Sequence, residues 1–255
     1  MGESAISWTN LTWNPVTGCS KVSPGCAHCY AETLSLKQGW SKLPWLPANA
    51  KDNVVLHPDR LDQPLRRRKP SMIFVNSMSD LFHEEIPDDY IDQVFSVMAA
   101  ATWHTFQVLT KRPERMLAFT QQYRPEPLPN VWLGNSVENQ YWAERRIPIL
   151  AQVPAAVRFL SCEPLLKPLD LRCWLPSLSW IIVGGESGPK FRRMPHEWAR
   201  DIRDQCVAAG VAFFFKQSSS YQTERGTALQ EEDGRLFEWH QYPGDLAEPV
   251  YRGRS

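Results

Sequence analysis

The feature that most restricts the fold is a beat of short apolar runs, each closing on polar or glycine residues: 72–76, 106–110, 131–134, 157–161, 180–183 and 211–215. Runs of this length, rich in Val, Ile, Phe and Leu, read as strands buried on both faces. Several are separated by stretches with helical spacing, 88–101, 141–151 and 197–209, the last with apolar side chains at Trp198, Ile202, Cys206 and Ala209. Strand and helix alternate, which favours right-handed βαβ units and a parallel sheet, open or curled into a full or partial barrel. A complete eightfold barrel takes about 250 residues and carries its functional groups at the C-terminal ends of its strands. This chain has 255 residues, enough for one barrel-sized domain.

The strand exits are where the polar chemistry falls. They hold Asp80 (in 76–80), Lys111 and Arg112 after Thr110, Asn135, Ser136 and Glu138 (in 134–139), Cys162 and Glu163 (in 161–164), Gly184, Gly185 and Glu186 (in 184–188), and Lys216 with Gln217. Any one of them is explained as a helix N-cap. Together they imply one shared mouth lined with carboxylates, amides and a lysine. Residues 35–70 break the beat with Pro, Trp and basic side chains and read as an insertion or lid, whereas the polar tail 218–255 reads as a short C-terminal appendage to a main body 1–217.

Composition limits the class. Apolar residues make up 43% and charged residues 22%, so the chain has the makings of a core. No apolar run approaches the roughly 20 residues of a membrane helix, and the first ten residues lack a basic segment and an apolar core. The expectation is a soluble cytoplasmic protein without a membrane partner. With 28 basic and 28 acidic side chains the net charge is zero, so any nucleic-acid site must be local. The pairs within 66–69, 111–112, 145–146 and 192–193 would supply a phosphate-binding rim, with tryptophans to stack bases, or only a solvated surface.

Three of the six cysteines lie together, Cys19, Cys26 and Cys29, spaced C-x6-C-x2-C; Cys162, Cys173 and Cys206 are scattered. A tight cluster in a cytosolic chain points to metal or redox work rather than disulfides. Zinc and cubane iron–sulfur sites normally close with four protein ligands. Three cysteines on a [4Fe-4S] cluster leave one iron open, as reductive cleavage of S-adenosylmethionine to a 5'-deoxyadenosyl radical requires. The zinc alternative takes His28 or His57 as fourth ligand in a non-catalytic nucleic-acid-binding protein; inert or redox thiols remain a third reading. Trp8, Trp13, Trp40 and Trp45 crowd this part of the sequence, either shielding a cofactor or packing a core.

The strings TWNPVTGC (12–19), SPGC (23–26), FVNSMSDLF (74–82), LTKRP (109–113), WLG (132–134), SCEPLL (161–166) and GGESGP (184–189) closely resemble the phage-associated family called domain of unknown function 5131, over residues 6–217. That family looks like a branch of the radical S-adenosylmethionine enzymes. The resemblance implies a partial (β/α)6 TIM-like barrel with a three-cysteine [4Fe-4S] loop after the first strand and an external electron donor. The order of polar exits is similar to that of spore photoproduct lyase, which acts on a thymine lesion in DNA. On that likeness Asp80, Lys111 and Ser136 would contact the cofactor; Asn135 would add a hydrogen bond to it, Gly184, Gly185 and Glu186 would bind either cofactor or substrate, with a salt bridge as the bland alternative for Glu186, and the substrate would be a nucleic acid or nucleotide. Cys162, as a hydrogen-atom donor, and Glu163, as a substrate-binding group, are the catalytic candidates, each with a bland alternative: a buried small side chain and a salt bridge. The chain departs from the usual radical-enzyme pattern in a first cysteine gap of six rather than three, and in a Gly-Gly-Glu element on a late strand.

Overall fold

The computed structural model describes residues 1–254. Contacts divide the chain into two compact units, residues 1–134 with 152–156, and residues 135–151 with 157 onward.

The first unit holds β1 (Gly2–Glu3), β2 (Leu11–Trp13), β3 (Val16–Thr17), α1 (Tyr30–Lys37), α2 (Ala50–Asn53), β4 (Val55–Leu56), α3 (Gln63–Arg66), β5 (Met72–Val75), α4 (Asp88–Ala100), β6 (Thr105–Thr110) and α5 (Pro113–Tyr123). Here β2, β5 and β6 pair in parallel, and β1 adds antiparallel to β2. Helix α4 buries Tyr90, Ile91, Val94, Phe95 and Met98, a stripe at helical spacing, and starts with Asp88 and Asp89, whose charges suit the positive end of the helix dipole. Pro113 opens α5 at a position where its missing N–H costs nothing. Beyond the end of α1, the insertion 35–70 contains only four-residue helices, single-turn 3₁₀ segments and the two-residue β4; Pro47, Pro58 and Pro64 stand in the first turn of three of these elements.

β7 (Val131–Ser136) crosses the division between the units. The second unit follows with α6 (Gln140–Leu150), β8 (Val157–Cys162), β9 (Trp180–Gly184), α7 (His196–Ala209) and β10 (Ala212–Gln217), then β11 (Leu229–Gln230), β12 (Arg235–Glu238) and β13 (Val250–Arg254). Strands β8, β9 and β10 pair in parallel, and every residue of β9 is buried, as the sequence pattern of strands covered on both faces requires. Asn139 caps α6 by accepting from the Trp142 amide. Gly210 ends α7 in the left-handed conformation, at φ 65°. The tail forms a separate antiparallel sheet, β11-β12-β13.

The main sheet has the order β1-β2-β5-β6-β7-β8-β9-β10, following the chain without reversal. A doubly wound sheet reverses at a switch point; sequential winding with helical crossovers is the order of a barrel. The fold is the partial (β/α) barrel that the family resemblance implied, its sheet running among the described residues from β1 to β10. No helix is long and apolar enough to cross a membrane among the described residues.

Candidate functional site

The cysteine loop is fixed at its entry by a glycine. Gly18 sits at φ +84°, donates to the Met78 carbonyl at 2.9 Å, and passes so close to the Asn53 carbonyl that a Cβ would lie 1.8 Å from it. Only glycine fits there. Cys19 follows, Cys26 closes a 3₁₀ turn begun by Pro24, and Cys29 is the N-cap of α1. The three thiols are half-buried and unbridged. Cys19 and Cys29 pack against the buried cluster of Ala31, Trp45 and Met78, and the Trp45 indole N–H is held by Ser41. The other crowded tryptophans have different places: Trp8 packs on Phe74, Trp13 on Phe106, and Trp40 is 60% exposed.

Around this loop the first unit builds a closed polar network. The Asp80 carboxylate accepts from Thr110 Oγ1 (2.7 Å), the Phe82 amide (3.0 Å), the Lys111 amide (3.1 Å) and Arg112 Nη1 (3.1 Å). Burial alone would raise its pKa; the Arg112 charge and these hydrogen bonds instead hold it below the usual carboxylate value. Asp80 is thus fully engaged by protein donors. Arg112 is buried and its pKa is raised, burial being outweighed by Asp80, Cys19 and Glu84. It also donates to Glu84 (2.9 and 3.0 Å), Ser20 Oγ (3.0 Å), the Ser20 carbonyl (3.3 Å) and Cys19 Sγ (3.7 Å). Burial pushes the Cys19 thiol up to about 12, Asp80 adding to the rise and Arg112 opposing it. Burial raises Cys29 as well, against α1 amides and the Lys111 charge. Two neighbouring cations at the β6 exit therefore act on two sulfurs. Sequence reasoning selected Lys111 and left Arg112 to the basic rim; the signal for it lay in contacts 92 and 93 residues away along the chain.

The second unit contrasts with this. Asn135 is 0% exposed, yet neither its amide nitrogen nor its oxygen has a partner. Ser136 is buried, and its carbonyl accepts from Arg146 at 2.8 Å. Glu163 places Oε2 3.3 Å from Ser161 Oγ and 3.6 Å from Lys216 Nζ, while its buried Oε1 has no hydrogen-bond partner. Gly184 makes room for that oxygen, since a Cβ there would lie 2.7 Å from it; Gly185 makes room for Ser219, whose amide a Cβ would approach to 2.3 Å. The carboxylate of Glu186 is held in a fork by the Arg192 guanidinium and amide. Cys162 is completely buried and its thiol is pushed well above the ordinary value by that burial.

Much of the expected phosphate rim is engaged internally: Arg146 pairs with Glu138, Arg192 with Glu186 and Arg66 with Asp62, while Arg145 stacks on Tyr141. Nor do the described residues gather three or more His, Cys, Asp or Glu side chains around a point where one metal ion would sit. His57 is hydrogen-bonded to Thr17 at 2.8 Å. Three unbridged thiols on one loop, with cations beside two of them, are the donor chemistry that a thiolate-bound metal centre needs.

Residues 3–243 match the family described as "Protein of unknown function (DUF5131)". The chain belongs to this family. The DUF5131 match extends beyond the main sheet through β12, so the family includes part of the C-terminal sheet. No curated protein matches the sequence. Among solved structures the DUF5131 chain is similar to a spore photoproduct lyase mutant with bound AdoMet and a dinucleoside spore photoproduct, at 12% identity over 94% of this chain and 68% of that one, with a TM-score of 0.45. A second spore photoproduct lyase mutant matches at 13% identity over 98% of this chain and 71% of that one, with a TM-score of 0.48.

Proposed function

We propose that the chain is a radical S-adenosylmethionine enzyme acting on a nucleic acid or nucleotide and taking its electron from an external donor. The observation that carries this reading is the loop of three unbridged, half-buried thiols at the entrance of a barrel-ordered sheet, with Arg112 directed at Cys19. Cys19, Cys26 and Cys29 would hold a [4Fe-4S] cluster, which when bound supplies the one electron that splits the sulfonium of S-adenosylmethionine into methionine and a 5'-deoxyadenosyl radical. The protein's own residues do the rest. Trp45, Met78 and Ala31 keep water from the sulfurs. Arg112 and Lys111 offset the negative charge that burial and Asp80 make costly there. Asp80 holds Arg112 in register. In the second unit the unpartnered Asn135 amide and Glu163 oxygen suit the hydroxyls, amino groups and ring nitrogens of a nucleoside, because a buried polar atom left unmatched is costly until a ligand or water meets it.

The test is turnover. After anaerobic reconstitution with iron and sulfide, incubation with S-adenosylmethionine and a reductant should release 5'-deoxyadenosine, and the Cys26→Ala variant should release none. Intact S-adenosylmethionine after prolonged incubation of a fully loaded, reduced protein would refute the reading.

A further inference from the structure

We propose that Arg112 is a positioning residue for the cysteine loop, presenting a charged N–H to Cys19 Sγ and favouring the electron-rich state of the centre that the sulfur joins. This rests on the function proposed above. The geometry singles Arg112 out because all three guanidinium nitrogens are held: Nε by Glu84, Nη2 by the Ser20 hydroxyl and carbonyl, and Nη1 by Asp80 at 3.1 Å. A guanidinium fixed at every corner cannot rotate away. Its remaining Nη1 proton is directed to Cys19 Sγ at 3.7 Å.

The clamp also grips the chain next to the ligand. Ser20 follows Cys19 directly, and its hydroxyl takes Arg112 Nη2 at 3.0 Å and faces His83 Nε2 at 2.9 Å. His83 Nδ1 accepts from the Glu85 amide at 3.1 Å, so the neutral ring carries its proton on Nε2 and donates it to Ser20. The histidine therefore orients Ser20 and removes no proton from the sulfur. A purely structural arginine would satisfy Asp80, Glu84 and Ser20 without aiming a donor at a thiol. Hydrogen bonds to ligand sulfurs and nearby charge are among the terms that set an iron–sulfur potential, and a cation stabilises the reduced form.

The experiment compares Arg112→Gln, Arg112→Lys and Glu84→Gln with wild type. In reconstituted protein, a redox titration followed by visible absorbance should give a more negative midpoint for Arg112→Gln and a midpoint near wild type for Arg112→Lys. Removing the 64% exposed Glu84 carboxylate should move it the opposite way. In metal-free protein at one fixed alkaline pH, iodoacetamide should label Cys19 about tenfold more slowly in Arg112→Gln, from the loss of a charge-assisted hydrogen bond, with Arg112→Lys restoring most of the rate. Unchanged potential and labelling in Arg112→Gln would overturn the proposal, as would equal shifts in the Gln and Lys variants. If Arg112→Gln fails to fold, the Lys variant and the sign of the Glu84→Gln shift decide. If wild type takes up no iron, the proposed function fails, while the labelling comparison still tests the bond to Cys19.

Discussion

Asp80 and Asn135 stand at two strand exits and are both buried, but they are opposites. The first has four protein donors on its carboxylate; the second has an amide with no protein partner at all. A saturated carboxylate rigidifies the element that carries it, here the surroundings of the cysteine loop. An unsatisfied amide contributes nothing to the folded protein and is retained at a cost. Asp80 is thus fixed by its neighbours in the first unit, while Asn135 and the Oε1 of Glu163 in the second have no hydrogen-bond partner.

The sharpest way to break this contrast is mutation. Asp80→Ala leaves Arg112 buried without its buried carboxylate partner and should cost about 3–5 kcal/mol in urea unfolding; a loss below about 1 kcal/mol would show that the network is not structural. A smaller effect comes from pH. Burial lowers the pKa of His57, His83, His196 and His240 below the ordinary 6.5, so below that pH the unfolded chain binds more protons and stability falls. Asp80, lowered from 3.8, adds stability above that value and loses it as pH drops through its lower folded value. Urea midpoints should therefore decline from pH 6.5 downward and more steeply below 3.8; a flat profile between neutrality and pH 5 would contradict the histidine part. The smallest effect should be Asn135→Ala, which removes no hydrogen bond and should change stability by less than about 1 kcal/mol, while abolishing any nucleoside binding measured by calorimetry. A large loss of stability would show that Asn135 belongs with Asp80 after all.

The sequence carried the fold further than the site. Runs such as 72–76 and 180–183 became β5 and β9 because strands covered on both faces must be continuously apolar, and the stripe at 197–209 became α7 for the matching helical reason. Gly184 and Gly185 are places of close approach, where Glu163 and Ser219 come near, and no local pattern names those partners. The sequence leaves Glu186 open between a ligand contact and a salt bridge, and a partner six residues on, Arg192, holds it. Arg112 reads in the sequence only as half of a basic pair, because its contacts exist only once residues 80, 84, 19 and 20 are folded around it. Patterning reports burial; it does not report which distant polar groups converge.

The most direct measurement is the iron, acid-labile sulfide and zinc content of anaerobically purified protein, wild type beside Cys19→Ala. The account predicts iron and sulfide in equal amounts, approaching about four of each per wild-type chain, with both lost in the variant. One zinc per chain with no sulfide, unchanged by the substitution, would contradict it.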